Sequence, residues 1–231
     1  MDSQQNHTEV RPVTGFDQVT LRSQHENHLV IQQGDQESLT IQAPEEILHR
    51  IKSQIVHSRL IISLEGAWPD RIRDALTTSL TRPRIHYKLC VKNLSHLEIY
   101  AMADVSAACL QTEELEIKYN GMGLMVIDDL IASKLEVEMN GAGRIRINGC
   151  VQEQKITVNG LAEYNAGGLK SDRATILLRS PGTATVWVTS TLNVDIRGPG
   201  GVSYYGSPHI HKRISPVGSL STLGEPQTAM K

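Results

Sequence analysis

The stretch LEIKYNGMG at residues 115–123 returns almost intact as LEVEMNGAG at residues 135–143, and in looser form as KITVNGLAE at residues 155–163. Its core is a small residue, any residue, then another small residue. That triplet recurs at Ala101/Ala103, Gly121/Gly123, Gly141/Gly143, Gly160/Ala162, Ser180/Gly182 and Gly198/Gly200, with first members 20, 20, 19, 20 and 18 residues apart. Four residues before each first member stand Leu97, Ile117, Val137, Ile156, Ile176 and Val194. Two before stand Ile99, Tyr119, Met139, Val158, Leu178 and Ile196. Between them lie Glu98, Lys118, Glu138, Thr157, Leu177 and Asp195, so polar and apolar residues alternate in most copies, as a strand with one buried face requires.

A second strand follows each triplet. Its inward candidates are Val105, Met125, Ile145, Tyr164, Ala184 and Val202, then Ala107, Ile127, Ile147, Ala166, Val186 and Tyr204. Each copy therefore reads as strand, Gly-rich corner, strand, loop. A unit of this size cannot bury its apolar face alone, whereas stacking successive units makes a continuous parallel sheet and core. The fold expected is all-β: a parallel β-solenoid of about six 20-residue coils over 97–206, about 29 Å tall at the spacing of paired strands. The glycines Gly121, Gly123, Gly141, Gly143, Gly160, Gly182, Gly198 and Gly200 are expected to form the corners, through positive φ or close backbone approach. An antiparallel sandwich also has short strands at regular spacing, but gives no reason for like residues to recur at a fixed offset. The in-register stack does: Asn120, Asn140 and Asn159, each just before a corner, are expected to sit above one another and share amide hydrogen bonds.

Outside the repeat, residues 1–12 read as an N-terminal extension and 13–96 as an irregular cap of strands with a loop at Gly66–Pro83. Residues 13–215 then form one solenoid domain, and 216–231 a flexible tail. A short helix is expected after Pro44, where Glu45 and Glu46 suit a first turn.

Composition narrows the function. The 231-residue chain has 9 aromatic residues (Phe 1, Trp 2, Tyr 6) and a formal net charge of -2, so the core is aliphatic and nucleic acid is not an expected partner. No apolar run approaches the ~20 residues that span a bilayer. MDSQQNHTEV at the start has no signal-peptide pattern, which places the protein in the cytoplasm, or in the envelope or outside if an export segment is missing from this chain. Cys90, Cys109 and Cys150 have no metal-ligand spacing and read as small buried hydrophobes.

A β-helical enzyme acting on acidic polysaccharides needs converging carboxylates. Asp104, Asp128, Asp129, Asp172 and Arg173 occupy different offsets in their repeats and should not converge. His209 and His211 share a strand face but lack further ligands, so no metal or other cofactor is expected. Trp68, Tyr204 and Tyr205 are candidates for stacking on a sugar or a partner, as the three Asn are for surface contact.

The order Thr14-Gly15-Phe16, then Val19 and Leu21, Gln33-Gly34-Asp35, Leu39-Thr40-Ile41 and the repeats resembles the head GIN domain of bacterial envelope proteins. The resemblance covers roughly residues 14–215. It implies a β-solenoid, no catalytic residues, export to the envelope and an adhesive role. The Asp that follows each corner in that family is present here only as Asp104; the matching positions hold Leu124, Arg144, Glu163, Thr183 and Gly201. The reading is thus a non-enzymatic envelope or surface module, presenting a regular face to a protein, a glycan or a second copy of itself. A carbohydrate-active β-helix enzyme is the alternative.

Overall fold

The alternation that recurs along the chain becomes a stack of parallel coils in the computed structural model, which describes residues 6–64 and 84–226. Seven strands carry the six repeats: β7 (His96–Ala107), β9 (Glu114–Tyr119), β10 (Met122–Met139), β11 (Ala142–Val158), β12 (Glu163–Leu178), β13 (Thr183–Ile196) and β14 (Gly201–Tyr205), with the two-residue β8 (Leu110–Gln111) between β7 and β9. The long strands run through a bend, so one strand ends a coil and begins the next. Pairing is parallel and in the expected register: Val137 lies over Ile156, Met139 over Val158, Met125 over Ile145 and Ile127 over Ile147. Both upstream inward columns are buried in all six coils, and the downstream columns are buried as far as Val202.

The stack is longer than its periodic part. Strand β2 (Gln18–Gln33) pairs in parallel with β7, setting Val19 over Leu97, Leu21 over Ile99 and Leu29 over Val105. On its other side β2 pairs in parallel with β5 (Arg59–Leu64) and β6 (Ile85–Val91). Part of the region read as an irregular cap is therefore regular solenoid. The cap proper is antiparallel: β3 (Ser38–Pro44) on β6, β4 (Ile51–Val56) on β5, and β1 (Asn6–Arg11) on β3. Strand β1 thus occupies half of the stretch read as an extension. Helix α1 (Glu45–Leu48) starts after Pro44 as expected and buries Ile47 and Leu48. The loop expected at Gly66–Pro83 lies outside the described residues.

At the other end the chain does not fray at residue 215. Strands β15 (His209–Ile214) and β16 (Ser219–Gly224) add another coil, on β13 and β14 respectively. This replaces the expected tail with a strand up to Gly224.

One expectation about local chemistry is narrowed and another changes. Gly141 does not adopt a positive φ; it is required because a Cβ there would fall on the carbonyl oxygen of Gly121 in the coil below. Gly123, with φ of 123°, meets both constraints. The corners are thus mainly places where one backbone lies directly on another. The cysteines are not core residues: Cys109 and Cys150 are exposed and Cys90 is half-buried. Cys150 registers with Ile131 and Lys170, both on the outward side of the sheet.

One coil has a polar interior. Gln154, Tyr164 and Ser171 stand in columns that hold Leu135 and Ala174, Ile145 and Ala184, and Val151 and Val188 in the coils on either side. The Tyr164 hydroxyl donates to Gln154 Oε1 (3.1 Å), Gln154 Nε2 donates to Ser171 Oγ (2.8 Å), and Ser171 Oγ donates to the Trp187 carbonyl (2.8 Å). Burial pushes the Tyr164 hydroxyl well above the ordinary tyrosine range, so it remains a proton donor.

Candidate binding surface

Because the coils stack in register, each outward position becomes a straight column running along the molecule. The corner carries two such columns side by side. In one, Asn140 Nδ2 donates to Asn120 Oδ1 (2.8 Å) and Asn159 Nδ2 donates to Asn140 Oδ1 (2.7 Å), which is the expected amide ladder. Arg179 continues it, donating from Nη1 to Asn159 Oδ1 at 3.4 Å. In the other, the middle residue of every triplet points outward: Met102, Met122, Ala142, Leu161, Pro181 and Pro199 are all exposed, Leu161 by 70% and Met122 by 47%. This apolar ridge is visible in the sequence as the apolar middle of every triplet, a signal the small flanking residues obscure.

Shallow grooves run on both sides of the ridge. One is lined by Tyr100, Asn120, Asn140 and Gly141, the other by Asp104, Leu124, Arg144 and Glu163. Arg144 and Glu163 form an exposed ion pair at 2.7 Å, and Asp104 accepts the Leu124 amide at 3.1 Å. Asp104 is therefore tied to the backbone.

Beside the corner lies the outward face of the first strand of each coil. It is not uniformly solvent-exposed, because β2 and β5 extend it. Glu98 is buried, accepting hydrogen bonds from the Tyr100 hydroxyl (2.8 Å) and Thr20 (3.3 Å), with Arg59 at 3.6 Å. The hydrogen bond to that carboxylate, with some burial, raises the pKa of Tyr100. Partial burial pulls Glu116 upward, but hydrogen bonds from Lys118 and His96 outweigh it and hold its carboxyl below the usual glutamate range.

The carboxylates considered for catalysis stay apart. Asp128 and Asp129 sit at a register shift, exposed, while Asp172 accepts from Thr189 (3.2 Å) and Arg173 pairs with Glu153 (3.5 Å) one coil below. His209 and His211 do meet, with ring centroids 4.6 Å apart, and no cluster of three or more metal-ligating side chains forms among the described residues. No helix among the described residues is long and apolar enough to cross a membrane.

The aromatic candidates divide. Tyr204 belongs to the inward column and packs against the core, so it is not the surface residue expected. Tyr205 points outward and is half-exposed. Trp68 lies outside the described residues. The register pairs Tyr205 with Trp187, also outward and half-exposed, which the sequence reading did not single out.

The fold has known counterparts. A crystal structure from Bacteroides fragilis titled "putative adhesin" superposes with a TM-score of 0.79 at 22% identity, covering 96% of this chain and 95% of that one. One from Parabacteroides distasonis, titled "putative lipid binding protein", gives 0.73 at 18% identity, covering 96% and 98%. One from Parabacteroides merdae, again a "putative adhesin", gives 0.67 at 17% identity, covering 96% and 97%. These likenesses concern the fold. No curated protein sequence matches the chain. A family model described as "Putative auto-transporter adhesin, head GIN domain" matches residues 15–208, the same run of β2, cap and coils traced above, and the chain belongs to that family.

Proposed function

We propose that this protein is a non-enzymatic adhesin-like module of the bacterial cell surface or envelope, which holds a partner against the corner of its solenoid. The observation that carries this reading is the pairing of an exposed apolar ridge with an amide ladder, both repeated coil after coil on a rigid backbone. An apolar column offers contact area with no ordered side chain to desolvate, and the amide column beside it offers donors and acceptors at the same spacing. A surface of this kind suits an extended partner, a protein segment or a glycan chain. The dispersed carboxylates support binding over the alternative of a carbohydrate-active enzyme.

The test is adhesion of the purified chain to immobilised bacterial surface fractions, glycans and extracellular-matrix proteins, comparing wild type with Met122→Glu and with Leu161→Glu. Both side chains are exposed, so folding should be unaffected. Loss of retention in both variants is the expected outcome. Equal retention of all three proteins would remove the corner as the contact, and turnover of a polysaccharide would favour the enzyme reading.

A further inference from the structure

Aromatic residues are scarce in this chain, and most of those described serve the interior. Phe16, Tyr87, Tyr119 and Tyr164 are buried, and Tyr204 packs against the core. Trp187 and Tyr205 do neither. They occupy the outward side of successive coils in direct register, on the sheet face that follows the corner. We propose that Trp187 and Tyr205 form a carbohydrate-binding platform, distinct from the corner ridge, that takes a short run of pyranose units.

Four features support this. First, the ground beneath Tyr205 is cleared: the Cδ2–Cε2 edge of its ring crosses Gly167, where even a methyl group would lie 3.0 Å from Cε2. The Thr185 methyl comes close to the same position, at 3.4 Å. Second, Trp187 is held from below, since its carbonyl accepts the buried Ser171 hydroxyl at 2.8 Å. Its ring has the Lys170 ammonium 5.9 Å from the centroid on one coil and Gly206 on the other. Third, the surround is polar and short-chained: Asn165, Thr185 and Ser203 follow one another in one column, and Ser203 shares a hydrogen bond with Ser221 at 3.0 Å. Fourth, the chemistry matches a sugar. A pyranose has an apolar face of C–H bonds that stacks on an aromatic ring, and a rim of hydroxyls that pairs with amides and alcohols. A peptide strand would need a free sheet edge at this place, and here the coils continue on either side.

This inference rests on the reading of the protein as a binding module and gives it one ligand class. The experiment is tryptophan-fluorescence titration and affinity electrophoresis of the full chain with two probes, neutral cellohexaose and acidic trigalacturonate. The acidic probe asks whether Lys170 adds attraction. Saturable binding of at least one probe is expected. Trp187→Ala and Tyr205→Ala should each weaken it by about tenfold or more, with Trp187→Phe retaining most of it, while circular dichroism and melting temperature stay near wild type. Wild-type affinity in both alanine variants would overturn the platform and leave the binding module intact. Failure of wild type to bind either probe or any member of a glycan array would overturn the platform too, and only a simultaneous failure in the adhesion assay above would remove the module itself.

Discussion

The two ends of the solenoid solve the same problem by different means. At the N-terminal end the exposed sheet edge is covered by chain: antiparallel β3 and β4 pair with the first parallel layer, and β1 pairs with β3. At the C-terminal end β15 pairs with β13 and β16 with β14, and no described strand lies beyond them. What changes there is side-chain chemistry. Lys212 stands in the column of Leu97, Ile117, Val137, Ile156, Ile176 and Val194, and Thr222 stands in the column of Val186 and Tyr204. An inward-pointing charge is one way an open edge avoids recruiting another chain, because further stacking would bury it. Covering an edge needs a long excursion of chain; blocking it needs one lysine.

This contrast can be broken experimentally, beginning with what both ends depend on. Gly141→Val should cost more than about 3 kcal/mol, because the new side chain meets the Gly121 carbonyl and separates two coils. Gly34→Ala, with open space around it, should fall within about 0.5 kcal/mol of wild type in the same chemical denaturation series.

The next effect separates the ends directly. Leu39 in the covered cap is fully buried, so Leu39→Ala should cost about 2–5 kcal/mol. Ile210 in the last coil is only half-buried, and Ile210→Ala should cost about 1 kcal/mol. Equal losses by denaturation would show that the C-terminal end is covered after all.

Lys212→Val should change stability by less than about 1 kcal/mol yet promote association end to end. Light scattering as a function of concentration should show a larger species for this variant and not for Lys212→Glu. A monomeric Lys212→Val would mean that some feature other than this charge protects the edge.

The smallest effect concerns acid. Glu116 has a folded-state pKa below the ordinary glutamate value, so its contribution is present above about pH 4.5 and disappears as the pH falls through the lowered value. Its side chain is 41% exposed, so the contribution should be no more than about 0.5 kcal/mol. Glu116→Gln should flatten the stability profile by that amount as the pH falls below the ordinary glutamate range, and an unchanged profile would show that the contacts with Lys118 and His96 are inconsequential.

How much of this is legible in the sequence follows from what repeats. Period-two alternation and a fixed offset define the six coils and the Asn ladder, because neighbours in the stack are also successive in the chain. The N-terminal coils escape this logic. Gln18 of β2 lies over His96 of β7, and most of the cap is made by the chain in between, so the 20-residue offset does not connect them. The last coil escapes it for a different reason: the offset persists, but Lys212 and Thr222 break the apolar columns by which a coil is recognised. Trp187 is invisible to a search for repeats, because its column holds Lys170 in the coil before and an aromatic residue in only two successive coils, too few for a periodic signal. Glycine at the corners is legible as a requirement, but whether it answers a positive φ or a close approach depends on the coil beneath.

A stack of near-identical layers has a problem of identity: aliphatic columns would accept the wrong neighbour almost as readily as the right one, and a chain shifted by a whole layer would still look dry inside. The triad of Gln154, Tyr164 and Ser171 gives one layer an address. In the native order it meets Ala174 and Ala184 above and finds its last acceptor at the Trp187 carbonyl. Shifted by one coil, the triad would keep the two bonds within it but lose the bond from Ser171 to the Trp187 carbonyl, at about 1–3 kcal/mol if that hydroxyl found no new acceptor. That penalty discriminates between assemblies of equal hydrophobicity, and it makes the middle of the stack the place from which the other layers are counted.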